Sequence, residues 1–180
     1  METKRLFIAS FVAEYLFARH ISDIQNIFAN SSSGKWSDLN NLHFTYKFLG
    51  NVEINKIPEI IDLMKDLFTE YPSIIKFNKL GLLKSRIKPQ VLYSSIYNAD
   101  KSVFNNFKEI ENRLVKYGFP KEKQKFMPHV TLLRIKKFEE NFFDVFEQNK
   151  EFYIGKQQKY KINLVSSTLT HSGPIYEILA

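Results

Sequence analysis

Two of the four histidines in this 180-residue chain are followed two places later by threonine, at His43-Phe44-Thr45-Tyr46 and His129-Val130-Thr131-Leu132. On a β-strand, residues i and i+2 project from one face and i+1 from the other. His43 and Thr45 are therefore expected to project together, with Leu42, Phe44, Tyr46 and Phe48 turned toward an apolar side. His129 and Thr131 form a second such pair, with Pro128, Val130 and Leu132 turned inward. Each segment offers an imidazole and a hydroxyl on a strand whose other face is anchored in a core, the rigid mounting that a catalytic group needs.

Two imidazoles and two hydroxyls suit acid–base phosphoryl transfer without a metal. Near neutral pH one histidine can accept a proton while the other, charged, donates one. One imidazole would take the proton of an attacking water and the other would protonate the departing oxygen on the far side of phosphorus. The threonine hydroxyls would hold the non-bridging oxygens. For either motif alone, an ordinary half-buried strand histidine is the plainer reading; the matched pair favours chemistry. No His-x-Glu, Glu-x-x-His or Asp-rich cluster accompanies the strands, so the residues do not point to metal ligation.

Alternating strand and helix periods supply the elements that must hold these pairs. A buried strand is predicted over about 4–12, and an amphipathic helix over about 14–29, where Phe17, Ile21, Ile24 and Phe28 share a face. Residues 31–41, with the polar break Ser31-Ser32-Ser33-Gly34 and the lone Trp36, read as a loop before a strand near 42–48. Pro58 opens a helix that Pro72 ends. Strands follow at about 74–82 and 90–97, joined by the basic turn Lys84-Ser85-Arg86-Ile87-Lys88-Pro89. A helix over about 100–117, with Asp100 as N-cap, precedes a lysine-rich loop and a strand near 128–135. A short helix carrying Phe138, Phe142, Val145 and Phe146 comes next, and then strands near 151–155, 159–170 and 175–179, with Ser172-Gly173-Pro174 as the final turn. No linker divides the chain.

Composition narrows the setting. Absence of cysteine excludes thiol catalysis and disulfide scaffolds, and 44% hydrophobic content with 17 Phe is too apolar for disorder. Lys4 and Arg5 ahead of the apolar Leu6–Ala13 resemble the start of a signal peptide, but Glu14 stops the run, so a buried strand in a soluble cytoplasmic protein is expected. The net charge of +7 gathers into residues 76–88, at +5, and 116–137, at +6, and the second stretch leads into the His129 strand. That fits a phosphodiester partner. Among further candidates for substrate binding, Lys47 shares the parity of His43, with a solvated strand lysine as the alternative. Arg134 has parity opposite to His129 and reaches the site only if the strand twists or ends there. Phe7, Trp36 and Tyr176 are candidates to stack on a base, with packing the plainer role; His20 and His171 have no partner and no expected role.

Asn41-Leu42-His43-Phe44-Thr45-Tyr46-Lys47-Phe48-Leu49-Gly50 and Phe126-Met127-Pro128-His129-Val130-Thr131-Leu132-Leu133-Arg134 resemble the two signatures of the 2H phosphoesterase superfamily. Within it they are most similar to the RNA 2′,3′-cyclic phosphodiesterases, once named 2′-5′ RNA ligases. Lys4–Ala9 resembles that family's opening strand and Ser167–Tyr176 its closing hairpin. The resemblance implies an α+β fold over residues 1–180. It would comprise two similar lobes with antiparallel sheets flanked by helices, related by a pseudo-two-fold around a central cleft. It also implies hydrolysis of RNA 2′,3′-cyclic phosphate ends to 2′-phosphomonoesters without metal or cofactor, with His43 as proton donor and His129 as acceptor. A monomer with no membrane association and no obligate protein partner is expected. Leu133 stands where the family usually has Ala and is expected to narrow the cleft slightly. The same site acting on 2′-5′-linked oligonucleotides, on ADP-ribose cyclic phosphate or in tRNA-half joining, and a non-catalytic RNA-binding module, are the alternatives.

Overall fold

In the computed structural model, which describes residues 2–85, 88–171 and 173–180, the predicted first strand is β1, Thr3–Phe11. The expected helix over 14–29 is two, α1 (Glu14–Ala18) and α2 (Ile21–Phe28), separated by a turn in which the His20 amide donates to the Phe17 carbonyl at 3.0 Å. The expected loop over 31–41 contains a strand, β2 (Ser32–Trp36). β3 (His43–Glu53) carries the first motif and runs five residues further than its hydrophobic pattern suggested. After it come α3 (Ile57–Met64), the short β4 (Glu70–Tyr71) and the hairpin strands β5 (Ile75–Ser85) and β6 (Lys88–Tyr97). The basic turn joining them includes Arg86 and Ile87, which lie outside the described residues. α4 spans Ser102–Lys116, with the Asp100 carboxylate accepting the Ser102 amide at 2.9 Å. β7 (His129–Phe138) carries the second motif. α5 (Phe142–Asn149), β8 (Gly155–Gln157), β9 (Tyr160–Lys161), β10 (Asn163–Leu169) and β11 (Pro174–Ile178) complete the chain, and Ser172 of the final turn lies outside the described residues.

The expected α+β fold with two lobes is borne out. One large sheet has the order β11-β10-β1-β3 and a second β2-β7-β6-β5-β8, β4 and β9 form a small two-stranded sheet, and every pairing among the described residues is antiparallel. The lobes are interleaved along the chain. α1 and α2 follow a strand of the first sheet yet cover the second, where Phe17 meets Phe77 at 5.1 Å and Phe28 meets Phe142 of α5 at 5.9 Å. α4 backs the first sheet at β3, and α3 packs against α4.

One apolar core runs behind both sheets and anchors both motif strands, since Phe44 and Val130 are each fully buried in it. Burying a side chain of that size is worth about 1.5–3 kcal/mol. The first sheet also curls, bringing its edges together at one end, where the Asn41 amide donates to the Pro174 carbonyl at 3.3 Å. Among the described residues no helix is long and apolar enough to cross a membrane.

Candidate active site

Each motif strand carries a bulge immediately after its threonine. Thr45 pairs with Ala9 and Lys47 with the adjacent Ile8, so Tyr46 is the extra residue; Thr131 pairs with Tyr93 and Leu133 with the adjacent Leu92, so Leu132 is. A bulge inserts one residue, and from there on the alternation of faces is inverted. His43, Thr45 and Phe48 therefore share one face of the first sheet, and His129, Thr131 and Arg134 share the matching face of the second.

Four expectations change with that inversion. Lys47 does not line the cleft: it is buried, its ammonium donating to the Glu111 carboxylate of α4 and to the Pro120 carbonyl at 2.7 Å. Phe48 does not turn to the core: it is 67% exposed on the histidine face, its ring 6.0 Å from that of Phe7. Leu133 lies in the core rather than the cleft. Arg134, whose parity argued against it, is exposed on the site face.

Both imidazoles are held alike. His43 Nδ1 lies 2.6 Å from the Asn41 carbonyl oxygen and His129 Nδ1 lies 2.9 Å from that of Met127, in each case the residue two places earlier. A carbonyl only accepts, so Nδ1 carries the proton and Nε2 is the edge left for chemistry. The Thr45 and Thr131 hydroxyls make no hydrogen bond among the described residues.

Surroundings separate the two histidines. Phe7, Phe11 and Tyr176 wall His43, with ring centroids at 5.2, 5.6 and 5.2 Å, whereas His129 has Tyr93 at 5.1 Å. Burial in that aromatic wall pushes the His43 pKa down; the Asn41 carbonyl opposes this, and the electrostatic influence of Arg134 and His129 adds to the lowering. Arg134 also lowers the pKa of Tyr176, which burial raises, so its field reaches across from one lobe to the other. His43 should accordingly titrate below the ordinary imidazole value of about 6.5. The unfolded chain then binds the extra proton first, so this residue costs stability as pH falls through that range. NMR titration of the His43 ring in the free protein checks the sign; a midpoint at or above 6.5 contradicts it.

Of the remaining candidates, Phe7 and Tyr176 stand in the wall around His43, while Trp36 packs against the main core. His20 meets Phe152 edge-on at 5.8 Å and His171 is exposed. Sequence reasoning missed Phe11, Tyr93 and Lys35. Lys35 sits in register opposite Arg134 on β2, whose polar sequence hides the strand. Gly34 makes that pairing possible, because a Cβ there would lie 2.0 Å from the Arg134 carbonyl oxygen.

A family model described as "LigT like Phosphoesterase" matches residues 16–93 and 98–176, one HxTx strand in each stretch. The chain belongs to this family. Among relatives of this LigT-like phosphoesterase, an RNA 2′,3′-cyclic phosphodiesterase of Methanocaldococcus jannaschii is 34% identical over 177 residues, covering 97% of this chain and 98% of the relative. One from Thermotoga maritima is 30% identical, covering 97% and 92%. Among solved structures, Escherichia coli LigT complexed with 3′-AMP has a TM-score of 0.79 at 19% identity, covering 99% of this chain and 97% of that one. TT0787 of Thermus thermophilus has a TM-score of 0.78 at 21% identity, covering 98% and 95%. At those identities the likeness concerns the fold.

Proposed function

We propose that this phosphoesterase hydrolyses RNA 2′,3′-cyclic phosphate ends to 2′-phosphomonoesters by acid–base catalysis between His43 and His129. The observation that carries the reading is the matched geometry: two imidazoles with Nδ1 tied to a carbonyl two residues back, each beside a threonine hydroxyl on the same face. The names of the relatives supply the substrate class.

The cyclic phosphate sits between the two pairs. Thr45, Thr131 and Arg134 hold its non-bridging oxygens, where a charge-assisted contact strengthens the hold. His129 Nε2 takes a proton from water as the water oxygen bonds to phosphorus. The bond from phosphorus to O3′ breaks, and O3′ takes the proton from His43. The histidines end with their protonation exchanged and reset through solvent.

Burial disfavours the charged form of His43 in the free protein, so its acid role depends on the substrate. An anion beside the ring favours the imidazolium and raises its pKa. The cyclic phosphate thereby charges the acid that will cleave it. No metal enters this scheme, and among the described residues no group of three or more His, Cys, Asp or Glu converges.

The test is an oligonucleotide ending in 2′,3′-cyclic phosphate, incubated in excess chelator, with the position of the product phosphate determined. Turnover to a 2′-phosphate is expected. A 3′-phosphate product, or turnover that chelator abolishes, overturns the reading.

A further inference from the structure

We propose that Phe48 is the stacking platform for a second nucleobase, so that the site grips an RNA strand rather than its last nucleotide alone. This rests on the function proposed above. A nucleotide that ends in a 2′,3′-cyclic phosphate can extend only through its 5′ oxygen, so a second base is that of the penultimate nucleotide.

Phe48 faces the same side as His43 and Thr45 because of the bulge at Tyr46, and it is 67% exposed. A lone exposed phenylalanine is unremarkable on a protein surface. This one is continuous with the site: its ring packs 6.0 Å from Phe7, and the Phe7 ring is 5.2 Å from His43. Phe7 is itself buried, so the platform rests on a fixed support.

The sheet carries the apolar row outward. Phe48, Phe7, Val165 and Ile178 are mutually in register across β3, β1, β10 and β11, and Ile178 is 55% exposed. One row further along β1 on that face stands Arg5, exposed and in no ion pair among the described residues. An aromatic face beside the catalytic groups, followed by a guanidinium, is the chemistry that takes a base and then its phosphate in single-stranded RNA.

Stacking of a base on an aromatic side chain is lost on alanine substitution at a cost of roughly 5- to 100-fold. The experiment compares kcat/KM for a 2′,3′-cyclic mononucleotide with that for a dinucleotide carrying the same 3′ end, in the wild type, Phe48→Ala and Phe48→Trp. The wild type should prefer the dinucleotide by about that factor. Phe48→Ala should lose most of the preference and Phe48→Trp should keep it. Equal preference in wild type and Phe48→Ala overturns the proposal. So does a Phe48→Ala change in oligomeric state with the ratio unaltered, which would mark a protein-docking face. Wild-type turnover of both substrates at equal efficiency overturns the platform and leaves the catalytic reading standing; turnover of neither overturns both.

Discussion

His43→Ala and His129→Ala should each lower turnover of an RNA 2′,3′-cyclic phosphate by about 10²–10⁴-fold, the usual worth of one positioned proton transfer. The double variant should be little worse than either single one, because in the proposed mechanism the two groups act in one step and such losses do not add. Structural damage is a weak alternative explanation. Each ring is half-buried on the face of its strand turned away from the main core, while Phe44 and Val130 hold the other face in that core. Circular dichroism and Tm should therefore be close to the wild type. Steady-state kinetics of the three variants checks this, and activity retained in both single variants would contradict it.

The second large effect is on stability. Glu111 accepts the Lys47 ammonium on one carboxylate oxygen and the Glu122 amide, at 2.7 Å, on the other. Both side chains of the pair are about 95% buried, at 4% and 5% exposure. The pair ties β3 at its bulge to α4 and to the loop that feeds β7, so one contact braces the approaches to both histidines. Glu111→Ala strands a buried ammonium and should cost about 3–5 kcal/mol. In a domain of this size that is a Tm fall on the order of 10 °C. Lys47→Met should be comparably harmful. Lys47→Met combined with Glu111→Leu should be more stable than either single variant, since no unpaired charge remains. Thermal or urea unfolding of the set measures it; single-variant losses below about 1 kcal/mol would contradict the role given to the pair.

How much of this was legible in the sequence follows from what alternation can carry. Period-two reasoning correctly put His43 with Thr45 and His129 with Thr131, because those pairs precede the bulges. It misdirected Lys47, Phe48 and Arg134, because they follow them, and the same inversion puts Leu133 in the core. A bulge is set by the partner strand's register, and nothing in Thr45-Tyr46-Lys47 or Thr131-Leu132-Leu133 announces it. The burial pattern is the retrospective sign, since Tyr46 and Lys47 are consecutive buried residues, as are Leu132 and Leu133. β2 was missed for another reason. Ser32–Trp36 has little apolar content, and main-chain pairing to β7 makes it a strand. The aromatic wall at His43 is likewise non-local, assembled by the curl of a sheet whose strands come from both ends of the chain.

A substrate whose leaving 3′ oxygen is replaced by sulfur separates the proposed acid role of His43 from the proposed base role of His129. A thiolate departs without being protonated, so loss of the general acid should matter little and loss of the general base should matter as before. His43→Ala should recover to within about tenfold of the wild type on the sulfur substrate, while His129→Ala should stay impaired by about 10²-fold or more. Recovery of His129→Ala instead of His43→Ala would reverse the assignment, and recovery of neither would contradict acid–base catalysis by this pair.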